Sequence, residues 1–281
     1  MTLLRPPDRL ARIEIYFRNT QMIQVLHRAV NILEYIAQAQ GPGLGEIAAA
    51  TQLHLATAAR ILKTLMAAGY VEQVAPKKGY ILGPMAYALA AGSGYRQDLV
   101  ILAEPIMRQL SRALKQPVIL VVLRQGRRFI LSQINVGEMM AASAGPQLPT
   151  NPYQSATGRL LLAYETERKK ILERLPLPGS AWPEVATRRQ LRLALAHIRT
   201  AGLAVRFTGE TAGIACPIWG TKSVPAALGT FLPESQFKAQ RRQNILRQMR
   251  QASKAIGLLI RKGRPLKEGA KPVSNLNHKP V

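Results

Sequence analysis

The chain has 281 residues, 47% of them hydrophobic, which is enough for two domains of ordinary size with a core each. Lysine and arginine number 39 against 15 aspartates and glutamates, and the net charge of +24 favours contact with polyanions such as nucleic acids. The single cysteine excludes an internal disulfide or a cysteine-rich metal site. No apolar run approaches the ~18 residues of a membrane span. We therefore expect a cytoplasmic protein without metal, cofactor or membrane contact.

A flexible arm, residues 1–21, precedes a predicted winged helix-turn-helix domain over residues 22–84. Its helices are predicted from apolar side chains that recur at spacings of three and four. They span residues 22–40, 44–50 and 56–68. Gly69 is expected to end the third helix, because glycine accepts the left-handed backbone that helix ends often need. Two short strands, joined by a turn at residues 76–79, then predict a hairpin.

The order of two helices and a lysine-tipped hairpin is typical of a fold that puts its second helix in the DNA major groove. The polar face of that helix carries the candidates for base and phosphate contacts, which are Thr57, Arg60, Lys63 and Thr64. Lys77 and Lys78, at the hairpin tip, are candidates for contact with the DNA backbone or minor groove. The alternative is an amphipathic helical hairpin whose polar face is only solvated.

Residues 85–97 predict a linker helix that ends in a hinge at Gly92-Ser93-Gly94. A second domain is expected over residues 98–260, and its strands, clustered with helices at both ends, indicate an α+β fold. The helices are predicted at residues 98–114, 158–163, 165–175, 187–201 and 235–259. The strands are predicted at residues 117–123, 128–134, 203–207, 213–219 and 225–232, with a loop at 137–152. A basic tail, residues 261–281, is expected to be disordered.

A series of short motifs runs along most of the chain. In the first domain they are Arg28-Ala29, Ile32-Leu33, Ile47-Ala48, the spaced set Leu53, Thr57, Arg60 and Leu62, then Gly69-Tyr70-Val71 and Tyr80-Ile81-Leu82-Gly83. In the second domain they occupy residues 155–163, 198–202, 213–218 and 226–228. Together they resemble the IclR family of bacterial transcription regulators, more closely in the first domain than in the second. The resemblance implies a winged helix-turn-helix domain followed by a GAF-like α+β sensor domain.

The resemblance also implies that the second domain holds a small organic acid between its sheet and the covering loops. The residues expected around this effector are Tyr153, Ser155, Ala156, Thr157, Arg206, Cys216 and Thr230. The hydroxyl groups of Ser155, Thr157 and Thr230 could hold a carboxylate, and Arg206 could bind a carboxylate bidentately. The chain departs from the family where serines common in a later strand are replaced by Gly229 and Phe231. A sensor domain that has lost its ligand is therefore the alternative.

Two functions follow from these features. The first is an effector-responsive regulator that acts as a dimer or a dimer of dimers on a short DNA palindrome, with the linker helix passing the ligand's effect between domains. The second is a ligand-independent architectural DNA-binding protein whose second domain serves self-association. An enzyme is not expected, since Cys216 lies in an apolar strand and His197 has no acidic residue nearby in the sequence.

Overall fold

The computed structural model describes residues 23–75, 78–91, 95–135 and 150–262. Several features predicted from the sequence lie outside these ranges, namely the arm at residues 1–21, Lys77, the hinge at residues 92–94, the loop at residues 137–149 and the tail from residue 263 onward. In the described ranges, no helix is long and apolar enough to cross a membrane. Within the same ranges, no group of three His, Cys, Asp or Glu side chains could hold a metal ion.

Three helices and a hairpin form the N-terminal domain, as the sequence predicts. They are α1 (Gln24–Ile36), α2 (Leu44–Ala50), α3 (Leu55–Ala67), β1 (Val71–Gln73) and β2 (Tyr80–Leu82). Ile32, Ile47 and Leu62, one from each helix, are 0% exposed. Val71 and Tyr80 of the hairpin join them in one core cluster. Burial of a large aliphatic side chain contributes about 1.5–3 kcal/mol, so this small core holds the hairpin against the helices.

The junction between α3 and the hairpin depends on Gly69. Its φ of +74° lies in the left-handed region that favours glycine, and its N–H donates to the carbonyl of Met66 at 2.9 Å. The hairpin is also anchored to the loop after α1, because the N–H of Tyr80 donates to the carbonyl of Pro42 at 2.9 Å. These contacts fix the direction in which the hairpin leaves α3.

Two helices connect the N-terminal domain to the sheet of the second domain. They are α4 (Pro84–Ala91) and α5 (Gln97–Leu114). Proline suits the first position of a helix, where its missing N–H has no intrahelical partner to lose. Tyr87 and Leu89 of α4 are both 66% exposed. The predicted linker helix is therefore present, with large apolar side chains in solvent.

The C-terminal domain is built on a five-stranded antiparallel sheet. Its strands are β3 (Val118–Arg124), β4 (Arg127–Ile134), β5 (Ala204–Thr208), β6 (Thr211–Ile218) and β7 (Ala226–Pro233). Their order in the sheet is β4-β3-β7-β6-β5. The central pair joins strands that are distant in the chain, with Val118 of β3 opposite Thr230 of β7.

Helices cover both faces of this sheet, which confirms the α+β fold. The helices that follow α5 are α6 (Ala156–Tyr164), α7 (Arg168–Arg174), α8 (Arg188–Ala201) and α9 (Ala239–Lys262). On one face, here called the α5 face, α5 and α9 contribute Met107 and Met249 to a core cluster. On the other, the α6 face, α6 and α8 contribute Leu160 and Leu195 to a second cluster. All four side chains are 0% exposed.

Candidate DNA-binding surface and effector cavity

Helix α3 presents a basic outer face. Arg60, Lys63 and Thr64 are exposed and Thr57 is partly buried, whereas the opposite face, with Ile61, packs into the core. The helix sequence LATAARILKTLMA contains no acidic residue. The four residues predicted to contact DNA therefore lie on α3 with at least part of each side chain accessible, and their charge suits the phosphate backbone.

The start of α3 holds one accessible side chain that the sequence analysis did not select. His54 occupies the position before the first helical residue, is exposed, and makes no capping hydrogen bond through its side chain. In helix-turn-helix proteins the N-terminal residues of the second helix contact base edges. The position alone could have drawn attention to His54, because an imidazole can donate to or accept from a base.

Lys78 of the hairpin is also exposed. Its carbonyl accepts a hydrogen bond from Gln73 Nε2 at 3.2 Å, and the N–H of Val74 donates to the carbonyl of Gly79 at 3.0 Å. Lys77, predicted to act with Lys78, lies outside the described residues. The described part of the hairpin thus supplies one accessible cation for a phosphate contact.

A cavity of about 480 Å³ lies on the α6 face of the sheet, beneath the start of α6. Of the residues predicted to surround an effector, five border this cavity, namely Ser155, Ala156, Thr157, Arg206 and Thr230. Ser155 caps α6 by accepting from the N–H of Gly158 at 3.0 Å. Its hydroxyl is also 3.3 Å from that of Thr157. The two hydroxyls are therefore adjacent at the cavity wall.

Tyr153 and Cys216 do not border the cavity. Tyr153 is 1% exposed within the core of the α6 face, and burial raises the pKa of its phenol to about 12. Cys216 is also 1% exposed but belongs to the core of the α5 face. Side chains alternate across a strand, so the neighbour of Cys216, Ala215, is the one that packs towards α6.

Thr230 borders the cavity, yet its hydroxyl is already engaged. It donates to the carbonyl of Pro117 at 2.7 Å and the residue is 2% exposed. Val118, its partner across the sheet, belongs to the core of the α5 face. Residues opposite each other in a sheet share a face, so the Thr230 side chain belongs to that face as well.

Arg128 lines the cavity and was not predicted from the sequence. It is 9% exposed. Its Nε donates to Thr157 Oγ1 at 2.9 Å and its Nη1 donates to Thr150 Oγ1 at 3.2 Å. Desolvation lowers the pKa of the guanidinium to about 10, so the group is still a cation at neutral pH. Both partners are neutral hydroxyls, and no carboxylate in the described residues pairs with Arg128.

Arg206 enters the same cavity from strand β5. Its Nε is buried and has no hydrogen-bond partner in the part of the chain that the structure describes. Desolvation lowers the pKa of this guanidinium, and the charge of Glu184 raises it in part. Glu184 is exposed. The Arg206 cation therefore keeps hydrogen-bonding capacity inside the cavity.

Arg159 is a third buried cation nearby, but its hydrogen bonds go to the protein. Its Nε donates to the carbonyl of Tyr153 at 2.9 Å and its Nη2 to that of Ala181 at 2.8 Å. The guanidinium also lies 4.0 Å from the ring centre of Trp182. Its pKa is lowered to about 10, first by desolvation and then by the positive charge of Arg206. Arg159 thus adds to the positive potential near Arg206.

Comparison with known proteins decides the family. The IclR C-terminal domain of bacterial transcriptional regulators matches residues 93–258, and the IclR helix-turn-helix domain matches residues 25–75. The chain belongs to the IclR family of bacterial transcription regulators. As a member of this family it is a regulator with a DNA-binding helix-turn-helix domain and a C-terminal effector domain.

Individual IclR relatives cover most of the chain. The HTH-type transcriptional regulator BhcR of Paracoccus denitrificans is 29% identical over 196 residues, which are 69% of this chain and 70% of that protein. The transcriptional repressor IclR of Escherichia coli is 29% identical over 206 residues, 70% of this chain and 74% of that protein. A crystal structure of an IclR homologue from Microbacterium hydrocarbonoxydans, complexed with 4-hydroxybenzoate, matches with a TM-score of 0.65 and 25% identity over 85% of this chain and 100% of that one. The two named relatives are transcription regulators.

Among the described residues, one ion pair joins the two domains of this IclR protein. Arg127, the first residue of β4, places Nη1 and Nη2 each 3.1 Å from Oε1 of Glu34 in α1, and Nη2 is also 3.1 Å from Oε2. The two side chains are 25% and 14% exposed. Forked contacts of this kind are geometrically specific. Arg127 directly precedes Arg128, so adjacent residues contact the DNA-binding domain and the cavity.

Proposed function

We propose that this IclR-family regulator binds a palindromic operator as a dimer, and that a small organic acid in the cavity of the C-terminal domain changes its affinity for the operator. The proposal that an organic acid binds in the cavity is supported by one observation. The guanidinium groups of Arg128 and Arg206 line the same cavity together with hydroxyl groups. A carboxylate is the group that such donors bind best.

The DNA half is supported by the outer face of α3. Arg60 and Lys63 are exposed on it, and Lys78 of the hairpin is exposed as well. Arginine can donate two hydrogen bonds to one guanine in the major groove, so we assign base readout to Arg60. Lys63, Thr64 and the hairpin lysines supply phosphate contacts, which position the helix but carry little sequence information.

Dimerisation is supported by apolar side chains that α1 and α4 leave in solvent. They are Ile23 just before α1, Val25, Leu26 and Val30 on α1, and Met85, Tyr87 and Leu89 on α4, and each is at least 41% exposed. Exposed apolar patches of this kind mark interaction surfaces. A second copy is the expected occupant, because helix-turn-helix proteins bind two half-sites through a symmetric pair of domains.

The effector's influence on DNA binding passes, in this proposal, through strand β4. Successive side chains of a strand point to opposite faces, and Arg127 and Arg128 use this alternation to contact Glu34 and the cavity respectively. A ligand that binds Arg128 moves the start of β4. That movement changes the relative populations of the arrangements of the two domains. The contact is more direct than the linker helix that the sequence analysis considered.

The protein acts by binding, not by catalysis. Cys216 and His197, the pair weighed as nucleophile and base, lie on opposite sides of the sheet, since Cys216 is in the core of the α5 face and α8 covers the α6 face. A ligand-independent architectural role is not favoured, because the C-terminal domain keeps a cavity with unpaired donors and the Microbacterium homologue carries 4-hydroxybenzoate.

The test begins with genomic DNA fragments enriched by the purified protein. Replacing Arg60 by alanine is expected to weaken binding to the enriched sequence by about 1–3 kcal/mol, as for loss of a base contact. Arg192→Ala, on the exposed surface of α8, is the matched control and should leave the affinity unchanged. Equal retention by the Arg60 variant, or enrichment of no common sequence, would argue for the architectural role instead.

A further inference from the structure

The two arginines of the cavity, neither of which has a carboxylate partner among the described residues, enter it from opposite edges of the sheet. Arg128 lies on β4 and Arg206 on β5, which are the outer strands in the order β4-β3-β7-β6-β5. Neighbouring strands are ~4.8 Å apart, so four spacings separate the two strand axes by about 19 Å. Both long side chains nevertheless line one cavity, so they enter it from its two ends.

Polar groups mark these ends, and apolar groups lie between them. Gln133 accompanies Arg128 on β4, while Thr208 accompanies Arg206 on β5. The central strands β3 and β7 contribute Ile119 and the side chain of Phe231 to the lining. A ligand that fits this pattern has a polar group at each end and a hydrocarbon segment between them.

The positive charges of Arg128 and Arg206 have no neutralising ion-pair partner among the described residues. None of its lining residues in the described ranges is an aspartate or glutamate. Arg128 donates to two hydroxyls, and Arg206 Nε has no partner. Glu184 influences Arg206 electrostatically, but no ion pair joins them among the described residues. Desolvated cations without a counter-ion are unfavourable, and a ligand with one negative charge would compensate only one of them.

We propose that the effector of this regulator is an organic dianion with a carboxylate at each end, one bound by Arg128 and the other by Arg206, with its hydrocarbon segment over Ile119 and Phe231. The inference rests on the proposed effector function of the same cavity and narrows the ligand class. Guanidinium groups form strong, charge-assisted hydrogen bonds with carboxylates; the Nε of Arg206 has no partner and the Nη2 of Arg128 makes no hydrogen bond among the described residues, so a donor remains for each end of the ligand. Ser155 and Thr157 supply further hydroxyls beside the Arg128 end.

The experiment measures binding of chain-length-matched acids to the full-length protein by isothermal titration calorimetry. Succinate, glutarate and adipate are compared with butyrate, pentanoate and hexanoate, which differ only in lacking the second carboxylate. We expect at least one diacid to bind tenfold or more tightly than its matched monoacid. Arg206→Gln should bring the affinity for the diacid down to that for its matched monoacid, whereas Arg192→Gln on the surface of α8 should keep the preference for the diacid.

The possible results separate this inference from the proposed function. Monoacids that bind as tightly as the diacids overturn the dianion inference but leave an organic-acid effector standing. No binding by any acid, from a protein that still retains its DNA, overturns the effector function itself. The comparison of diacid with monoacid on the unaltered protein decides the matter even where the Arg206 variant is poorly folded. A preference that survives in a folded Arg206→Gln variant also refutes the proposed arrangement.

Discussion

Replacing Glu34 by glutamine is expected to weaken the communication between the effector cavity and the operator-binding surface. The carboxylate of Glu34 accepts three hydrogen bonds of 3.1 Å from the guanidinium of Arg127. The other ion pairs of the described residues join groups close in sequence, such as Arg108 with Glu104. Among the described residues, the Arg127–Glu34 pair is therefore the ion pair that links α1 to the sheet. Glutamine keeps the shape of the side chain and removes its charge.

The size of the coupling free energy between Glu34 and Arg127 follows from the geometry and the exposure of the two side chains. Exposed ion pairs contribute 0.2–1 kcal/mol, and hydrogen bonds to charged groups about 1.5–3 kcal/mol. The Arg127–Glu34 pair is only 25% and 14% exposed and is forked, so about 1–2 kcal/mol is the expected coupling. A change of that size alters an equilibrium by a factor of about 5–30. The effector's influence on operator affinity should fall by a similar factor in each single variant.

A double-mutant cycle gives the cleanest assay. Operator affinity is measured with and without saturating effector for the unaltered protein, Glu34→Gln, Arg127→Gln and the double variant. The double variant should lose no more coupling than either single one, because both break the same contact. Glu104→Gln, which breaks the more exposed Arg108 pair within α5, is the control. Unchanged coupling in both single variants, with the fold intact, would show that the effector acts by another route.

Two further predictions concern one core and one surface. Burial raises the pKa of the Cys216 thiol to about 12 from its ordinary 9.0. The folded protein should therefore resist thiol reagents at pH 8, and the denatured protein should react with one equivalent of them. Because the thiol ionises at lower pH in the unfolded chain than in the folded one, the free energy of unfolding should decrease as the pH rises from 9 towards 12. Leu26→Glu, on the exposed face of α1, should yield monomers in light scattering and weaken operator binding, whereas Leu193→Glu on α8, 62% exposed, should not; a dimer that persists in the Leu26 variant would place the interface elsewhere.

Most elements of the fold could be predicted from the sequence because they follow from local periodicity. The stripe that contains Ile61 and Leu62 predicts α3, and the β-branched run of residues 117–123 predicts β3, each to within one residue of the observed bounds. The last helix was predicted to begin at residue 235 but begins at Ala239. A short 3-10 turn, Glu234–Gln236, precedes it. Such ends depend on turn geometry that periodicity does not encode.

The cavity was only partly predictable because it depends on strand order. Ser155 and Thr157 were expected at the cavity because the segment at residues 155–163 resembles the IclR family, and they do border it. Arg128 reaches it because β4 lies at one edge of the sheet, and local sequence patterns do not specify the order of the strands. Cys216 was selected within a strand whose register was unknown, and a shift of one residue exchanges the two faces. The Glu34–Arg127 contact joins residues 93 apart in the sequence, a distance beyond any local pattern.

Gly229 shows how a departure from the family pattern can have a structural cause. On the sequence alone, Gly229 argues against a ligand-binding sensor domain, because serine is common at this position in the family. In the structure, a methyl group at this position would lie 2.4 Å from Thr157 Cγ2 and 2.9 Å from Ile119 Cγ1. Thr157 in turn holds Arg128 through its hydroxyl. The absence of a side chain therefore lets α6 approach β7 closely enough to set the cavity wall.

Gly229→Ala should accordingly lower the free energy of unfolding by about 1–3 kcal/mol, the usual cost of overpacking a core. Backbone strain does not contribute, since the φ of Gly229 is not among the positive values. Adding Thr157→Ser removes the closer of the two clashing groups and keeps the hydroxyl for Arg128, so the double variant should regain part of the stability and of the effector affinity, while the contact with Ile119 remains. Chemical denaturation and calorimetry of both variants measure this. If the serine restores neither quantity, close packing of Thr157 is not the reason that glycine occupies this position.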